Sequence, residues 1–498
     1  MSRGRRESSH SVPWNCQRSR RHWRDTSRHG RNSTSRSKLA LPFYKPVVRV
    51  LRGHSARRVK KGFVTATADP DAAAGDRIVL QCDKDPCDDL VPNGALALLV
   101  TFALRCGFFV PFAEHLEVPL KACDYTPLQK LQTLLCSLAT GCEWTVDINH
   151  KLRPYPIVAE LLGMARFPDQ SSVSRFLHHL GIAQRLQLEL ISEQLLCRFG
   201  LWRQCERVNL DIDSSGLMVY GRTYEGRRKG YFPRQRGRYG YRLSVASAAN
   251  AAGPEILALY LDPANVAPAG RLWDCLYQAA EVLGSLDRVG LIRADAAFGT
   301  GPNIQELLEL GLTFLIKGFS DKTAANFAAT VTPTQWESLD LFRRVCDLGP
   351  QAITNCCYPV RVVLVELMTE RYDRPVYSHL YTNLSVQAAD AATLYVRYNK
   401  RQCIEALLKS TKAGLSIDHL RTRRYHPIAS FLQIAALTFN LLSWFRHYVL
   451  AQVGLNDLGI CDLTHKLMDI PAKCARERNQ LHLRFPDRHP LATALALL

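Results

Sequence analysis

Apolar residues recur at helical spacing through 95–113, 126–139, 156–162 and 172–198, which predicts a helical region over 63–205. Inside it, a helix over 156–162 runs into Gly163, a residue suited to a C-cap. Pro168-Asp169-Gln170-Ser171 then offers a turn and an N-cap before a second helix over 172–180. Gln170, Ser174 and Arg175 stand near the start of that second helix, where a recognition helix meets base edges. An ordinary helical hairpin has the same punctuation. From 206 the period changes to two: Val208, Leu210 and Ile212 alternate with Asn209, Asp211 and Asp213. Further strands are predicted at 241–247, 255–261, 289–294 and 313–319, with helices at 271–283 and 302–310. This order suits a mixed α/β sheet. Residues 321–376 break the rhythm and carry a β-rich apolar run at 357–367, so they read as an insertion. A strand at 376–384, a long helix at 388–415, an apolar helix at 427–450 and a short helical C-terminal piece (451–498) complete the chain.

Composition changes the picture at the N-terminus. The 498 residues are 47% hydrophobic and 22% charged, which excludes collagen-like, wholly disordered and small disulfide-rich classes. The net charge is +19, but 18 Lys and Arg stand against two acids, Glu7 and Asp25, in residues 1–62. That leaves a disordered basic arm on a nearly neutral body. Residues 1–38 hold no apolar stretch of the kind a secretory signal needs. The apolar stretches at 94–113 and 428–445 contain Arg105, Gln433 and Asn440, and are expected as buried helices rather than membrane spans. The sixteen cysteines are scattered without a Cys-x-x-Cys pair, as expected for free thiols in a reducing cytoplasm. Only Cys82 and Cys87, five apart among acids, come near a metal-ligand spacing.

The acids carry the candidate chemistry. Asp211 and Asp213 share one face of their strand. Asp295 ends another, in Arg293-Ala-Asp295-Ala-Ala-Phe298-Gly299. Carboxylates gathered at strand ends suit a hard cation such as Mg²⁺, although a lone strand-end Asp is commonly only solvated. On the 388–415 helix, ~100° per residue places Tyr398, Arg401, Glu405, Lys409 and Lys412 in one stripe. A carboxylate among cations and a phenol fits a metal ligand flanked by phosphate clamps, and also fits a solvated face with i,i+4 ion pairs. Between the first two strands, 222–242 holds eight Lys and Arg against one acid. Arg227, Arg228, Lys229, Arg234, Arg236 and Arg238 are interleaved there with tyrosines, a composition suited to DNA backbone contact and base stacking.

The run Tyr398, two residues, Arg401, three residues, Glu405, six residues, Lys412 resembles the signature of bacterial insertion-sequence transposases of the DDE type. Asp213-Ser-Ser resembles the family's first-strand motif, and Asp295 with Phe298-Gly299 its second-Asp motif. Gln402 follows Arg401 where many relatives carry Trp or Gly. The resemblance implies an α/β ribonuclease-H-like catalytic core with a β-rich insertion, preceded by an α-helical DNA-binding domain. The core would occupy 206–320 and 377–450, split by the insertion at 321–376. It implies Asp213, Asp295 and Glu405 as catalytic acids holding two Mg²⁺ ions, with Mn²⁺ able to substitute, and Asp211 as a supporting or alternative acid. Tyr398, Arg401, Lys409 and Lys412 would bind the phosphate and the DNA end. The implied partners are double-stranded DNA, as terminal inverted repeats and as target, and a second copy of the chain in a synaptic homodimer. The implied setting is the bacterial cytoplasm at the nucleoid, with no membrane. A stand-alone Mg²⁺-dependent nuclease of the same fold and a domesticated, non-catalytic DNA-binding protein are the alternatives.

Overall fold

A computed structural model describes residues 77–498 apart from 84–89, 122, 233–234, 236, 251, 369–373 and 478–479. The basic arm 1–62, Cys87, Arg234 and Arg236 lie outside the described residues. A strand, β1 (Arg77–Asp83), precedes six helices: α1 (Leu96–Arg105), α2 (Val110–His115), α3 (Pro127–Ala139), α4 (Ile157–Leu161), α5 (Gln170–His178) and α6 (Ile182–Phe199). Local chemistry sets their starts. Thr126 and Gln129 form a reciprocal capping box on α3, followed by Pro127. Asp169 accepts from the Ser172 amide at 2.7 Å to begin α5. Gly163 adopts a φ of +71° just past α4, in the left-handed region that glycine enters without strain.

The sheet begins with β2 (Val208–Val219), β3 (Arg228–Lys229), β4 (Tyr239–Ala249) and β5 (Glu255–Pro263). Helix α7 (Arg271–Leu283), β6 (Val289–Ala294), α8 (Gly301–Glu309) and β7 (Phe314–Lys317) follow. These five longer strands lie in the order β5-β4-β2-β6-β7. Strand β4 runs antiparallel to both β5 and β2, and β2, β6 and β7 run parallel through helical crossovers. After α9 (Asp321–Ala328), the predicted insertion supplies β8 (Glu337–Ser338), β9 (Arg343–Gln351) and β10 (Val360–Leu367). Together with β11 (Val376–Thr382), which pairs with β7, these strands extend the same sheet to ten.

The predicted 388–415 helix is two helices, α10 (Ala391–Asn399) and α11 (Gln402–Leu415). At the break, Arg401 N donates to Tyr398 O and Ile404 N to Arg401 O, in tight i,i+3 bonds. Helix α12 (Tyr425–Tyr448) follows, buried from Pro427 to Phe445. It is long and apolar enough to cross a membrane by length and composition, and its apolar window is wholly buried within the protein. Its Asn440 amide both accepts from Ile256 N and donates to Ile256 O at 2.9 Å, completing the pairing of β5. Buried Glu255 accepts from Leu201 N, Trp202 N and the Trp444 indole. The helices of 96–199, expected as a domain of their own, share one hydrophobic core with the sheet through these contacts.

The C-terminal piece corrects the helical expectation. After the short α13 (Ile460–Asp462) come β12 (Lys473–Glu477) and β13 (Gln480–Pro486), before α14 (Ala492–Leu495). Strand β13 pairs in parallel with β1 and buries Leu481, Leu483 and Phe485 in strict alternation. The period of two lies between polar neighbours whose strand partner is 403 residues away in sequence.

Candidate active site

Strand register builds the acidic site. On the parallel pair β2–β6, Asp211 stands opposite Arg293, and Ile212 opposite Ala294. One step further places Asp213 beside Asp295, which leaves the end of β6 as the cap of a short turn and accepts from Ala296 N. Gly299 permits this turn: a Cβ there would sit 2.0 Å from the Lys317 carbonyl of β7. Helix α11 packs over β2 and β4, with Leu407 and Leu408 lining one small apolar cavity together with Leu243 and Val245. Its start brings Arg401 and Glu405 to Asp213.

Arg401, 4% exposed, ties the acids together. Its Nη2 lies 2.9 Å from Asp213 Oδ2, and its Nη1 donates to Glu405 Oε1 at 2.8 Å. Its Nε is buried without a partner among the described residues. Tyr398 lies under the guanidinium, 5.9 Å from ring centroid to Cζ. Burial pushes the Asp213 carboxyl up to about 6; Arg401 opposes that shift, and the charges of Asp295 and Glu405 add to it. Burial works against the charge on Arg401, yet Asp213, Tyr398, Asp295 and Glu405 together hold its pKa above the usual value. Burial also raises the Tyr398 phenol. Tyr398, Arg401, Asp213, Asp295 and Glu405 are therefore one electrostatically coupled group. Among the described residues no three His, Cys, Asp or Glu side chains converge tightly enough to hold an ion, and the space between Asp213 and Glu405 is spanned by Arg401.

The other candidates fall elsewhere. Asp211 is fully buried, and both its oxygens accept from Arg293, at 2.6 and 2.8 Å. Lys412 Nζ donates to Ser215 Oγ at 2.7 Å and Gly216 O at 2.9 Å, just past Asp213 on β2, and burial lowers its pKa. Lys409 is exposed one turn beyond Glu405. Gln170, Ser174 and Arg175 begin α5, which packs against α3 and α12; Ser174 is half-buried and Arg175 exposed. In the basic segment, Arg228 and Lys229 are exposed in β3. Arg227 stacks on Tyr239 at 4.3 Å and Arg238 on Tyr220 at 5.7 Å. Phe232 seats this hairpin over Gly216 and Gly240, where a Cβ would approach its ring to 2.7 and 2.9 Å.

Two residues that the sequence reading did not single out belong here. Arg293 is a buried charge on an otherwise apolar strand, in phase with Asp295, and that phase is the available signal. Arg242, opposite Gly216 in the β2–β4 register, reaches Ser214 Oγ at 3.5 Å and has a buried Nε with no partner among the described residues.

Residues 83–498 match the family described as transposase DDE domain group 1, and the chain belongs to that family. It is a DNA transposase, and its mixed sheet agrees with the α/β ribonuclease-H-like core expected. A piggyBac transposase synaptic complex with hairpin DNA, solved by cryo-EM, is similar at 14% identity over 77% of this chain and 80% of that one, with a TM-score of 0.40. No curated protein matches the chain.

Proposed function

We propose that the chain is an insertion-sequence transposase that binds terminal inverted repeats and cuts and joins DNA strands with Asp213, Asp295 and Glu405 as its metal-binding acids. The observation that carries this reading is the coupled group at the ends of β2 and β6. Its donor set fits a hard divalent cation, because all three ligands are carboxylates and no soft ligand lies among them. Burial raises the Asp213 carboxyl, and the charges of Asp295 and Glu405 add to that against Arg401, so a cation held among them would favour the ionised form. Asp213, Asp295 and Glu405 would hold the ions. Two such ions supply an activated nucleophile at neutral pH and charge for the leaving oxygen.

The remaining roles fall to side chains. Arg401 has a buried Nε in want of an acceptor, and a phosphate oxygen supplies one. On this reading Arg401 is the counter-ion of Asp213 and Glu405 until cations and a phosphate arrive, and then binds the phosphate. Tyr398 supports its guanidinium. Lys412 fixes the Ser215–Gly216 segment of β2 and thereby the Asp213 backbone. The exposed Arg228, Lys229 and Arg238, with Tyr220, Tyr231 and Tyr239, present a basic and aromatic surface to the DNA flank. The start of α5 would read the repeat in the groove, and two copies of the chain would hold two ends in synapsis.

The test uses purified full-length chain, Mg²⁺ or Mn²⁺, and DNA carrying the element's flanking repeats. Nicking at one defined terminal position is expected, with Glu405→Gln losing nicking and keeping binding. Sequence-blind cutting would instead identify a nuclease, and binding without cutting under both metals a non-catalytic DNA-binding protein.

A further inference from the structure

The residue two positions before each strand aspartate is itself charged, and the two form a buried pair. Asp211 and Arg293 are 0% and 4% exposed, stand opposite one another in the β2–β6 register, and meet through both carboxylate oxygens. Because side chains alternate along a strand, they share a face with Asp213 and Asp295 and lie directly below them. A third guanidinium nitrogen, Nη1, donates to the Arg397 carbonyl at 2.8 Å. In an uninterrupted helix that carbonyl would accept from Arg401 N. Here Arg401 N has turned to Tyr398 O at 2.9 Å, and Arg293 takes the vacated acceptor. The break between α10 and α11 contains neither proline nor glycine, the usual causes of an interruption. Cys403, just past the break, lies 3.8 Å from Asp211 Oδ2.

We infer that Asp211 and Arg293 are positioning residues: the pair locks the two aspartate-bearing strands in register, and through the Arg397 carbonyl it holds open the helix break that sets Tyr398 and Arg401 against Asp213. The inference rests on the reading of Asp213, Asp295 and Glu405 as the metal-binding acids. It gives Asp211 a place outside the ligand set, since both its oxygens are already engaged. Lysine could pair with Asp211 but lacks the planar fork that reaches Asp211 and Arg397 together.

The test compares the wild-type chain with the double variant Asp211→Leu/Arg293→Met and with Arg293→Lys. Replacing a buried ion pair by apolar side chains of similar size is often close to neutral for stability. Amide hydrogen exchange, followed in EDTA, is expected to slow at least tenfold at Arg401 in the double variant, because its N–H regains the Arg397 carbonyl once Arg293 releases it, while β2 and β6 stay protected. Mn²⁺ affinity, read by electron paramagnetic resonance, is expected to fall at least tenfold. A folded double variant with wild-type exchange at Arg401 and wild-type Mn²⁺ affinity would overturn the inference. Should the double variant fail to fold, Arg293→Lys decides by the same two readouts. Asp213→Asn in the same titration separates the two claims. If it binds Mn²⁺ as the wild type does, the metal assignment fails, and exchange at the helix break alone decides the positioning role.

Discussion

Asp213 offers a measurement that needs no DNA. The residue is 7% exposed, and its carboxyl is pushed up to about 6 by burial, with Arg401 opposing and Asp295 and Glu405 adding to the shift. In the unfolded chain the same group titrates near ~3.9. The folded protein therefore holds the proton more tightly. Stability from this group is fully present below about pH 4 and is lost as pH rises towards 6. At ~1.4 kcal/mol per unit, a shift of about two units costs roughly 3 kcal/mol once the group is ionised in both states. Asp213→Asn removes the charge while keeping the shape, so it should stabilise the protein by about 1–3 kcal/mol at pH 7.5. The gain should shrink towards zero near pH 4. Thermal melts of wild type and variant in EDTA, at matched scan rates from pH 4 to pH 8, read the sign and the trend. A variant that melts lower at pH 7.5, or a difference that does not change with pH, would refute the reasoning that Asp213 is a strained acid rather than half of a satisfied ion pair.

Three further outcomes follow from particular contacts. Asn440→Ala leaves the buried Ile256 N–H and C=O without partners and should cost about 2–4 kcal/mol, visible as a lower melting temperature; an unchanged melt would mean that the β5 edge is held without it. Lys412→Ala releases Ser215 and Gly216 and should impair DNA end processing more than DNA binding, and equal losses would contradict a role at the acid site. Deletion of 1–62, with 18 Lys and Arg, should lower non-specific DNA affinity and flatten its salt dependence; an unaltered slope would show that the arm does not touch DNA.

Much of this site was legible before any coordinates. Period-two alternation put Asp211 and Asp213 on one face, and the apolar run 289–294 put Asp295 at a strand end, because side-chain direction on a strand is local geometry. Helical phase likewise grouped Tyr398, Arg401 and Glu405. Local chemistry also announced the turn and cap at Pro168–Ser171, where Asp169 begins α5.

What the alternation could not supply was the identity of the neighbour. Asp211 and Asp213 are equivalent in pattern, yet one is locked against Arg293 across the sheet and the other pairs with Arg401 of the helix break beside two further carboxylates, because β6 lies against β2 in one register and places Arg293 opposite the first. The same arginine, 104 residues from Arg397 along the chain, explains why a helix with continuous periodicity divides in two. The pairing of β1 with β13 and the joining of β8–β10 to the central sheet were equally invisible. Backbone hydrogen bonds between distant segments leave no local trace in either sequence, since every residue carries the same donor and acceptor. Phase along the chain is thus written in the residues, whereas which strand, carbonyl or cation meets each face is decided only when the layers pack.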